Sequence, residues 1–315
     1  MQYKMKKTIT IAIPCYNEEK NIVQIYKKIE SIVKHQIKYN FEYMFVDNGS
    51  MDKTKKVIKQ LIKKHNNVSG IFLSRNFGPE ASGMACHEHS NGDAVIGIAA
   101  DHQDPPELIP QFIKKWEEGY DVVMGSYIKN QDNFLMAYIR KMFYYIFKKI
   151  ANIDVPINMT GFGLLDKKVI VALRSLPEKY RFARGLTAWV GFKRILVPYE
   201  RKQRLEGKSS YGFFDYIKNA ERGVFGFSYL ILDLMVYGGI IIVFFSFLFI
   251  IVYLYTVIVI GNPIKASIPT ILAIVFFGGI QLLAISIIGK YIQVIVEETK
   301  NRPMYIIDEI SNIKN

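Results

Sequence analysis

Short apolar segments alternate with amphipathic segments of helical length from Thr8 to about Leu230. The apolar segments predict β-strands at Thr8–Ile13, Tyr43–Val46, Gly70–Leu73, Ala94–Ala100 and Asp121–Met124. The amphipathic segments predict helices at Asn21–Val33, Lys53–Lys64, Glu80–Ser90 and Glu107–Glu118. Almost wholly apolar strands joined by helical crossovers indicate a mostly parallel sheet with both faces covered. The sequence therefore predicts an α/β fold whose ligands bind beyond the carboxyl ends of the strands.

Beyond Ile231 the chain is far more apolar. Neither Leu234–Ile264 nor Ala266–Gly289 contains a charged residue. Each is longer than the roughly 20 helical residues that cross the hydrocarbon core of a bilayer. Two core helices of a soluble protein are the alternative, but core helices seldom run so long without a polar stripe. Because Gly261 and Pro263 break the helix between the two segments, we expect a transmembrane hairpin of two helices.

Basic residues flanking the hairpin predict its orientation. They lie mainly before and after the hairpin, at Lys218, Arg222, Lys290, Lys300 and Arg302, whereas the turn holds only Lys265. By the positive-inside rule, the N-terminal domain and both chain ends lie in the cytosol. The sequence therefore predicts a multi-pass protein of the cytoplasmic (inner) membrane. Residues 211–231 mix aromatic and basic side chains, which is typical of amphipathic interfacial helices, with plain core helices as the alternative.

The net charge is +13, and the whole excess lies before Ile231. The lysines are scattered along amphipathic helices rather than clustered with aromatic residues, so we expect no nucleic-acid partner. An anionic membrane surface and phosphate-bearing substrates account better for the charge. Cys15 and Cys86 are expected to be small buried side chains, with neither a disulfide nor a zinc site.

Polar side chains follow the predicted strands where a substrate should bind. The first strand runs into Pro14–Glu19 and the second into Asp47–Thr54, which supply carboxylates and amides for a base or ribose. The Gly-x-Gly-x-x-Gly turn of dinucleotide folds is missing, so a nicotinamide cofactor is not expected. After the fourth strand, Asp101 and Gln103 occupy alternate positions of extended backbone, so their side chains point the same way. This pair suits a divalent cation whose other ligands are substrate phosphates and water.

Seven blocks along the chain resemble glycosyltransferase family 2 enzymes with the GT-A fold, a Rossmann-like, mostly parallel sheet. The resemblance is to the polyprenyl-phosphate branch, that of dolichyl-phosphate mannose synthases and bactoprenol glucosyltransferases, and covers nearly the whole chain. The blocks are Ile13–Glu19, Val46–Thr54, Leu73–Gly78, Asp101–Glu107, Arg184–Phe192, Val197–Tyr211 and Gly278–Ile307. A match to one block alone is weak evidence for the family, whereas matches to seven blocks in the same order are specific.

The resemblance implies roles for individual residues. Nucleotide-contacting positions are matched by Pro14, Tyr16, Glu18, Asp47 and Asn48. The ligands of Mg²⁺ or Mn²⁺ are matched by Asp101 and Gln103. A mobile loop that closes over the donor diphosphate is matched by Arg204 and Lys208, which together with Asp101 are the implied catalytic residues. Contacts to the acceptor phosphate are matched by Arg140 and Ser209.

Three positions depart from the branch. Ala99 and Asn48 stand where carboxylates are usual, and Gly161 replaces an acidic residue often proposed to act near the acceptor. The implied reaction tolerates these changes because an acceptor phosphate, with a second pKa of about 6, attacks as a dianion without a strong general base. The departing diphosphate would be stabilised by the metal and by the basic side chains of the mobile loop.

The resemblance implies transfer of a single hexose, with inversion, from a nucleotide-diphosphate sugar to polyprenyl (undecaprenyl) phosphate at the cytoplasmic leaflet. UDP-glucose is the favoured donor, and we expect a homo-oligomer. The expected domains are a GT-A glycosyltransferase domain over residues 1–210, interfacial helices over 211–231, transmembrane helices over 232–296 and a cytosolic tail over 297–315. The alternative is a catalytically degenerate scaffold that binds nucleotide sugar or lipid phosphate, which Ala99 and Gly161 motivate.

Asp101→Asn is expected to abolish sugar transfer without changing the melting temperature, because a neutral amide is a much weaker ligand for a hard cation. Ala99→Asp is expected to tighten Mn²⁺ binding by adding a carboxylate. Transfer rate against Mn²⁺ concentration measures both effects. A wild-type rate for Asp101→Asn at limiting Mn²⁺ would mean that the metal binds elsewhere.

Overall fold

A computed structural model describes residues 6–128, 156, 159–179, 181–200, 230–261 and 267–313. The strands are β1 (Thr8–Cys15), β2 (Asn40–Asp47), β3 (Val68–Leu73), β4 (Ala94–Gly97), β5 (Val122–Tyr127), β6 (Met159–Asp166), β7 (Arg194–Tyr199) and β8 (Ile307–Ser311). The helices are α1 (Ile22–Val33), α2 (Thr54–Lys64), α3 (Pro79–His89), α4 (Ile109–Glu117), α5 (Lys167–Ser175), α6 (Ala183–Trp189), α7 (Leu230–Ile260) and α8 (Ser267–Thr299).

The eight strands form one sheet in the order β7-β5-β6-β4-β1-β2-β3-β8. Strands β3, β2, β1 and β4 pair in parallel, as do β5 and β7, whereas β6 and β8 are antiparallel to their neighbours. All strands except β6 and β8 therefore end at the same edge, the carboxyl edge. The predicted mostly parallel α/β fold is confirmed.

Helices cover both faces of the sheet because their apolar side chains recur every three or four residues. Helix α1 buries Ile22, Ile25 and Ile29 against one face, where α2 and α4 also pack. The opposite face is covered by α3, α5 and α6. The central strand β1 is buried on both faces, with Ile11 on one side and Ala12 on the other. The two predicted cysteine positions are confirmed as buried free thiols.

The sequence prediction missed β6 and β7, and it ended β4 at Ala100 instead of Gly97. Strand β6 contains Gly161 and Gly163, which weaken a strand pattern. Gly163 is required by packing, since a Cβ there would lie 2.4 Å from the Val123 carbonyl oxygen. Only a glycine lets β5 and β6 approach this closely.

Helices α7 and α8 are long and apolar enough to cross a membrane. Within them, Leu234–Thr256 has a mean hydropathy of 2.7 and Ala273–Thr299 one of 1.9, and neither span is buried by the rest of the molecule. The two helices contact each other and fit the predicted hairpin. Its turn, residues 262–266, and most of the predicted interfacial segment lie outside the described residues.

The segment after α8 returns to the sheet, which the sequence prediction of a simple tail did not include. Strand β8 pairs antiparallel with β3, with Ile310 opposite Ile71. Lys55 of α2 lies 2.6 Å from Asp308, and the Tyr305 hydroxyl donates to Glu88 of α3. The chain therefore leaves the domain at α7 and rejoins it after α8.

Ile307→Ala is expected to lower the melting temperature of the full-length protein by roughly 2 to 8 °C, because Ile307 packs on the core beside α3. Ile310→Ala is the matched control, since Ile310 is 48% exposed. Thermal unfolding followed by circular dichroism measures both variants. Equal shifts would mean that β8 contributes only backbone pairing.

Candidate active site

The carboxyl edge brings the first two polar loops together. Parallel pairing of β1 and β2 sets Cys15 opposite Asp47, so the loops that follow them begin side by side. The Asn48 amide donates to the Cys15 carbonyl oxygen at 2.9 Å and continues this pairing past the strand ends. The predicted nucleotide-binding positions of both loops therefore share one surface.

Side chains tie these two loops together. The Asn17 amide donates to Ser50 Oγ, and the Met51 amide donates to Asn17 Oδ1, both at 2.8 Å. The Glu18 amide donates to Thr54 Oγ1 at 2.9 Å. Asn17 has a φ of 56°, a left-handed conformation that asparagine tolerates better than most residues. The two loops are consequently held in one arrangement by the hydrogen bonds between them.

Two of the predicted nucleotide-binding carboxylates are almost fully buried. Asp47 accepts hydrogen bonds from the Ser50 amide at 3.1 Å and the Ser50 hydroxyl at 2.5 Å. Burial raises the pKa of Asp47, and the Ser50 hydrogen bonds oppose this shift. Glu18 accepts a hydrogen bond from the Asn21 side chain. Pro14 and Tyr16 are half-buried beside them.

The Asn48 side chain connects β2 to the loop after β3. Its Nδ2 donates to Asn76 Oδ1 at 3.1 Å and to the Gly78 carbonyl oxygen at 3.0 Å. Its Oδ1 accepts from the Phe77 amide at 3.0 Å. An aspartate could not donate the first two bonds, which gives a physical reason for an amide at this position. The side chain thus has a structural task besides any contact with a nucleotide.

Gly49 allows the loop after β2 to contact the loop after β3. A Cβ at this position would lie 2.3 Å from the Arg75 carbonyl carbon, and its φ of 69° also favours glycine. The backbone of the β2 loop therefore rests directly on the loop after β3.

Asp101 and Gln103 follow β4 at the same carboxyl edge. The Gln103 amide donates to Asp101 Oδ1 at 3.2 Å, and His102 between them is buried with a φ of 58°. The backbone from Asp101 to Gln103 is a turn, so the predicted extended conformation is wrong here, and both residues are half-buried. A carboxylate and an amide oxygen are hard ligands that suit Mg²⁺ or Mn²⁺. No group of three acidic, histidine or cysteine side chains that could hold a metal occurs among the described residues.

The departure at Gly161 leaves open space near this turn. Among the described residues, no atom lies within 4 Å of a Cβ built on Gly161, and Gly161 itself is exposed. The Gly161 carbonyl oxygen lies 3.1 Å from a Cβ built on Gly97, the last residue of β4. Ala99 is half-buried between β4 and the turn. A larger side chain at Gly161 would therefore clash with no described atom.

Four predicted site residues lie outside the described residues: Arg140, Arg204, Lys208 and Ser209. Of the predicted residues that the structure describes, all lie at the carboxyl edge: Pro14 and Asp47 within the last residues of β1 and β2, and the others just after β1, β2 or β4. The sequence analysis missed one hydrogen-bonded pair of residues at this edge. The Tyr199 hydroxyl donates to Asp104 Oδ1 at 2.5 Å, joining the end of β7 to the loop of Asp101. No signal in the sequence identifies such a contact, since its two residues are far apart along the chain.

Comparison with known proteins identifies the chain's relatives. Residues 10–173 match the family described as Glycosyl transferase family 2. The chain belongs to this family. A prophage-derived bactoprenol glucosyl transferase of Shigella flexneri is 34% identical over 301 residues, covering 95% of this chain and 97% of the relative. The glycosyltransferase sll0501 of Synechocystis is 35% identical over 303 residues, covering 96% and 95% respectively.

Solved structures in the same comparison are more distant. A mannosyltransferase of Pyrobaculum calidifontis, in complex with GDP-Man and Mn²⁺, is 17% identical with a TM-score of 0.45. The match covers 70% of this chain and 62% of that structure. The family match and the sequence relatives confirm the resemblance to glycosyltransferase family 2, and this family 2 member is a glycosyltransferase.

In this glycosyltransferase, Asn48→Asp is expected to lower the free energy of unfolding by about 2 to 3 kcal/mol, because both Nδ2 bonds are lost near the buried Asp47 carboxylate. Nucleotide affinity should fall as the loop after β3 moves. Asn66→Asp is the control, since Asn66 is exposed. Chemical denaturation measures the free energy of unfolding, and titration calorimetry measures the nucleotide affinity. Equal stability of the two variants would contradict this role for Asn48.

Proposed function

We propose that the protein transfers a single hexose from a nucleotide-diphosphate sugar to polyprenyl phosphate at the cytoplasmic face of the membrane. Glucose is the proposed sugar and UDP-glucose the proposed donor. Inversion at the anomeric carbon follows from in-line attack by the acceptor phosphate. The relatives named bactoprenol glucosyl transferase support this substrate class, since they match along nearly the whole chain.

The donor is proposed to bind across the loops after β1 and β2. Their buried carboxylates, Asp47 and Glu18, offer acceptors for the hydroxyl and N–H groups of a nucleoside. The loops are already fixed by hydrogen bonds between them. Little conformational entropy is therefore lost on binding, which favours affinity.

The position of the C-terminal end of α8 is the observation that supports the acceptor proposal. Both Glu298 carboxylate oxygens lie 2.9 Å from the Lys179 amide, which donates to them. Shortly after Lys179, the Ala183 amide donates to Glu80 in the first turn of α3, at the carboxyl edge. The end of an apolar helix long enough to cross a bilayer is therefore connected, through Lys179 and Ala183, to the start of α3 at the carboxyl edge. A lipid acceptor embedded in the same bilayer would present its phosphate there.

Exposed apolar side chains at the carboxyl edge support the same orientation. Met51 is 89% exposed in the loop after β2, Ile128 is 60% exposed after β5, and Ile306 is 55% exposed before β8. Such side chains are compatible with a membrane surface that faces this edge. We propose that the hairpin anchors the protein in the inner membrane, with the catalytic domain and both chain ends in the cytosol.

Asp101 and Gln103 are the residues proposed to hold Mg²⁺ or Mn²⁺. A bound cation would neutralise the diphosphate leaving group. Arg204 and Lys208 are proposed to contact the same diphosphate, and Arg140 with Ser209 the acceptor phosphate. The acceptor dianion needs no strong general base, which is consistent with the uncharged Gly161.

The decisive experiment supplies purified protein in lipid nanodiscs with Mn²⁺, radiolabelled nucleotide sugars and undecaprenyl phosphate. One labelled hexose is expected to enter the lipid fraction for each acceptor, with UDP-glucose the best donor. Undecaprenol is the matched control, because it has the same tail without the phosphate. No label on undecaprenyl phosphate from any donor would favour the nucleotide-sugar or lipid-phosphate binding scaffold instead.

A further inference from the structure

Asp104 and Tyr199 form a buried hydrogen bond between the loop after β4 and the carboxyl end of β7. The Tyr199 hydroxyl donates to Asp104 Oδ1 at 2.5 Å, and only 4% of Tyr199 and 6% of Asp104 are exposed. Asp104 belongs to the loop that carries Asp101 and Gln103, and Tyr199 is the last residue of β7. This bond therefore joins the proposed metal loop to the edge of the sheet.

The Tyr199 ring is fixed by its neighbours. Gly125 makes space for it, since a Cβ at Gly125 would lie 2.6 Å from Tyr199 Cε1. The rings of Tyr127 and Phe162 lie edge-on to it, with centroids 5.4 Å and 5.7 Å away. The Tyr199 carbonyl oxygen also accepts from the Ile128 amide at 3.0 Å. The ring thus has little freedom to turn its hydroxyl away from Asp104.

Electrostatics keeps this bond in one form. Burial, followed by the negative charge of Asp104, raises the pKa of Tyr199, so the hydroxyl keeps its proton and remains a donor. A buried carboxylate is costly unless it is hydrogen-bonded, so Asp104 gains from this donor.

We infer that Asp104 and Tyr199 are positioning residues that hold the Asp101–Gln103 turn against the carboxyl end of β7. The inference rests on the proposed function, because it concerns how the cation on the donor diphosphate is held. The pair itself contacts neither the cation nor the diphosphate. It acts by keeping the two proposed cation ligands in one position at the carboxyl edge, which oriented binding requires.

A direct metal-binding role for Asp104 makes different predictions. In Asp104→Asn, Oδ1 remains able to accept from Tyr199, so the positioning contact survives while the charge is lost. In Tyr199→Phe, the ring and the Asp104 carboxylate remain, while the hydroxyl is lost. Comparing these two variants therefore separates positioning from metal ligation.

The experiment measures nucleoside diphosphate affinity by calorimetry, with Mn²⁺ and with EDTA, on full-length protein. The probe is whichever of UDP, GDP, CDP and ADP binds the wild type most tightly. Tyr199→Phe and Asp104→Ala are expected to bind it about tenfold more weakly with Mn²⁺ and unchanged with EDTA. Asp104→Asn is expected to stay within about threefold of wild type. Tyr39→Phe is the matched control, because it removes a tyrosine–carboxylate bond to Glu117 far from the site.

Several outcomes would overturn the inference. Wild-type affinity in Tyr199→Phe with a lowered melting temperature would make the bond merely structural. Asp104→Asn as weak as Asp104→Ala, with Tyr199→Phe unaffected, would make Asp104 a metal ligand. If Tyr199→Phe fails to fold, the Asp104→Ala and Asp104→Asn pair decides. A wild type that binds no nucleotide would contradict the proposed function itself, which is a distinguishable result.

Discussion

Parallel pairing between β1 and β2 is the contact on which the candidate nucleotide-binding surface depends. It sets Cys15 beside Asp47, so that two loops far apart in sequence begin at neighbouring points. Every later contact there, from Asn17 with Ser50 to Asn48 with Gly78, requires this register. A shift by one residue would turn the side chains of β2 to the opposite face and separate the loops. The strand register therefore sets the positions of the two loops, and the side-chain contacts between the loops depend on it.

The parallel strands and their helices could be predicted because local periodicity reports burial on each element. Strand β8 could not be predicted, since its two adjacent carboxylates resemble a polar tail and its partner β3 lies in the first quarter of the chain. Its pairing depends on contacts that exist only after the sheet has formed. Strand β6 was hidden for another reason, because the glycines that let it pack closely also erase the apolar pattern of a strand.

The candidate site likewise contains residues that the sequence predicts and contacts that it does not. Carboxylates at strand ends, such as Asp47 and Asp101, are visible in sequence because their position follows from the strands. Asn48 shows what a sequence cannot tell, since an amide that faces a ligand and one that connects two loops look alike. Its donor and acceptor atoms meet the backbone of a third loop, and only the folded chain brings that backbone within reach. The Asp104–Tyr199 contact is hidden for the same reason.

The return of the chain to the sheet after α8 also imposes an order on biosynthesis. Of the described elements, β8 leaves the ribosome after both apolar helices have been made. Until then β3 is an open edge strand, with Ile71 and Phe72 unprotected by a neighbour on that side. The sheet is therefore completed only after the two helices have been synthesised. During that interval the unpaired backbone groups of β3 can pair with another chain, so this edge is where the nascent domain is most prone to aggregation.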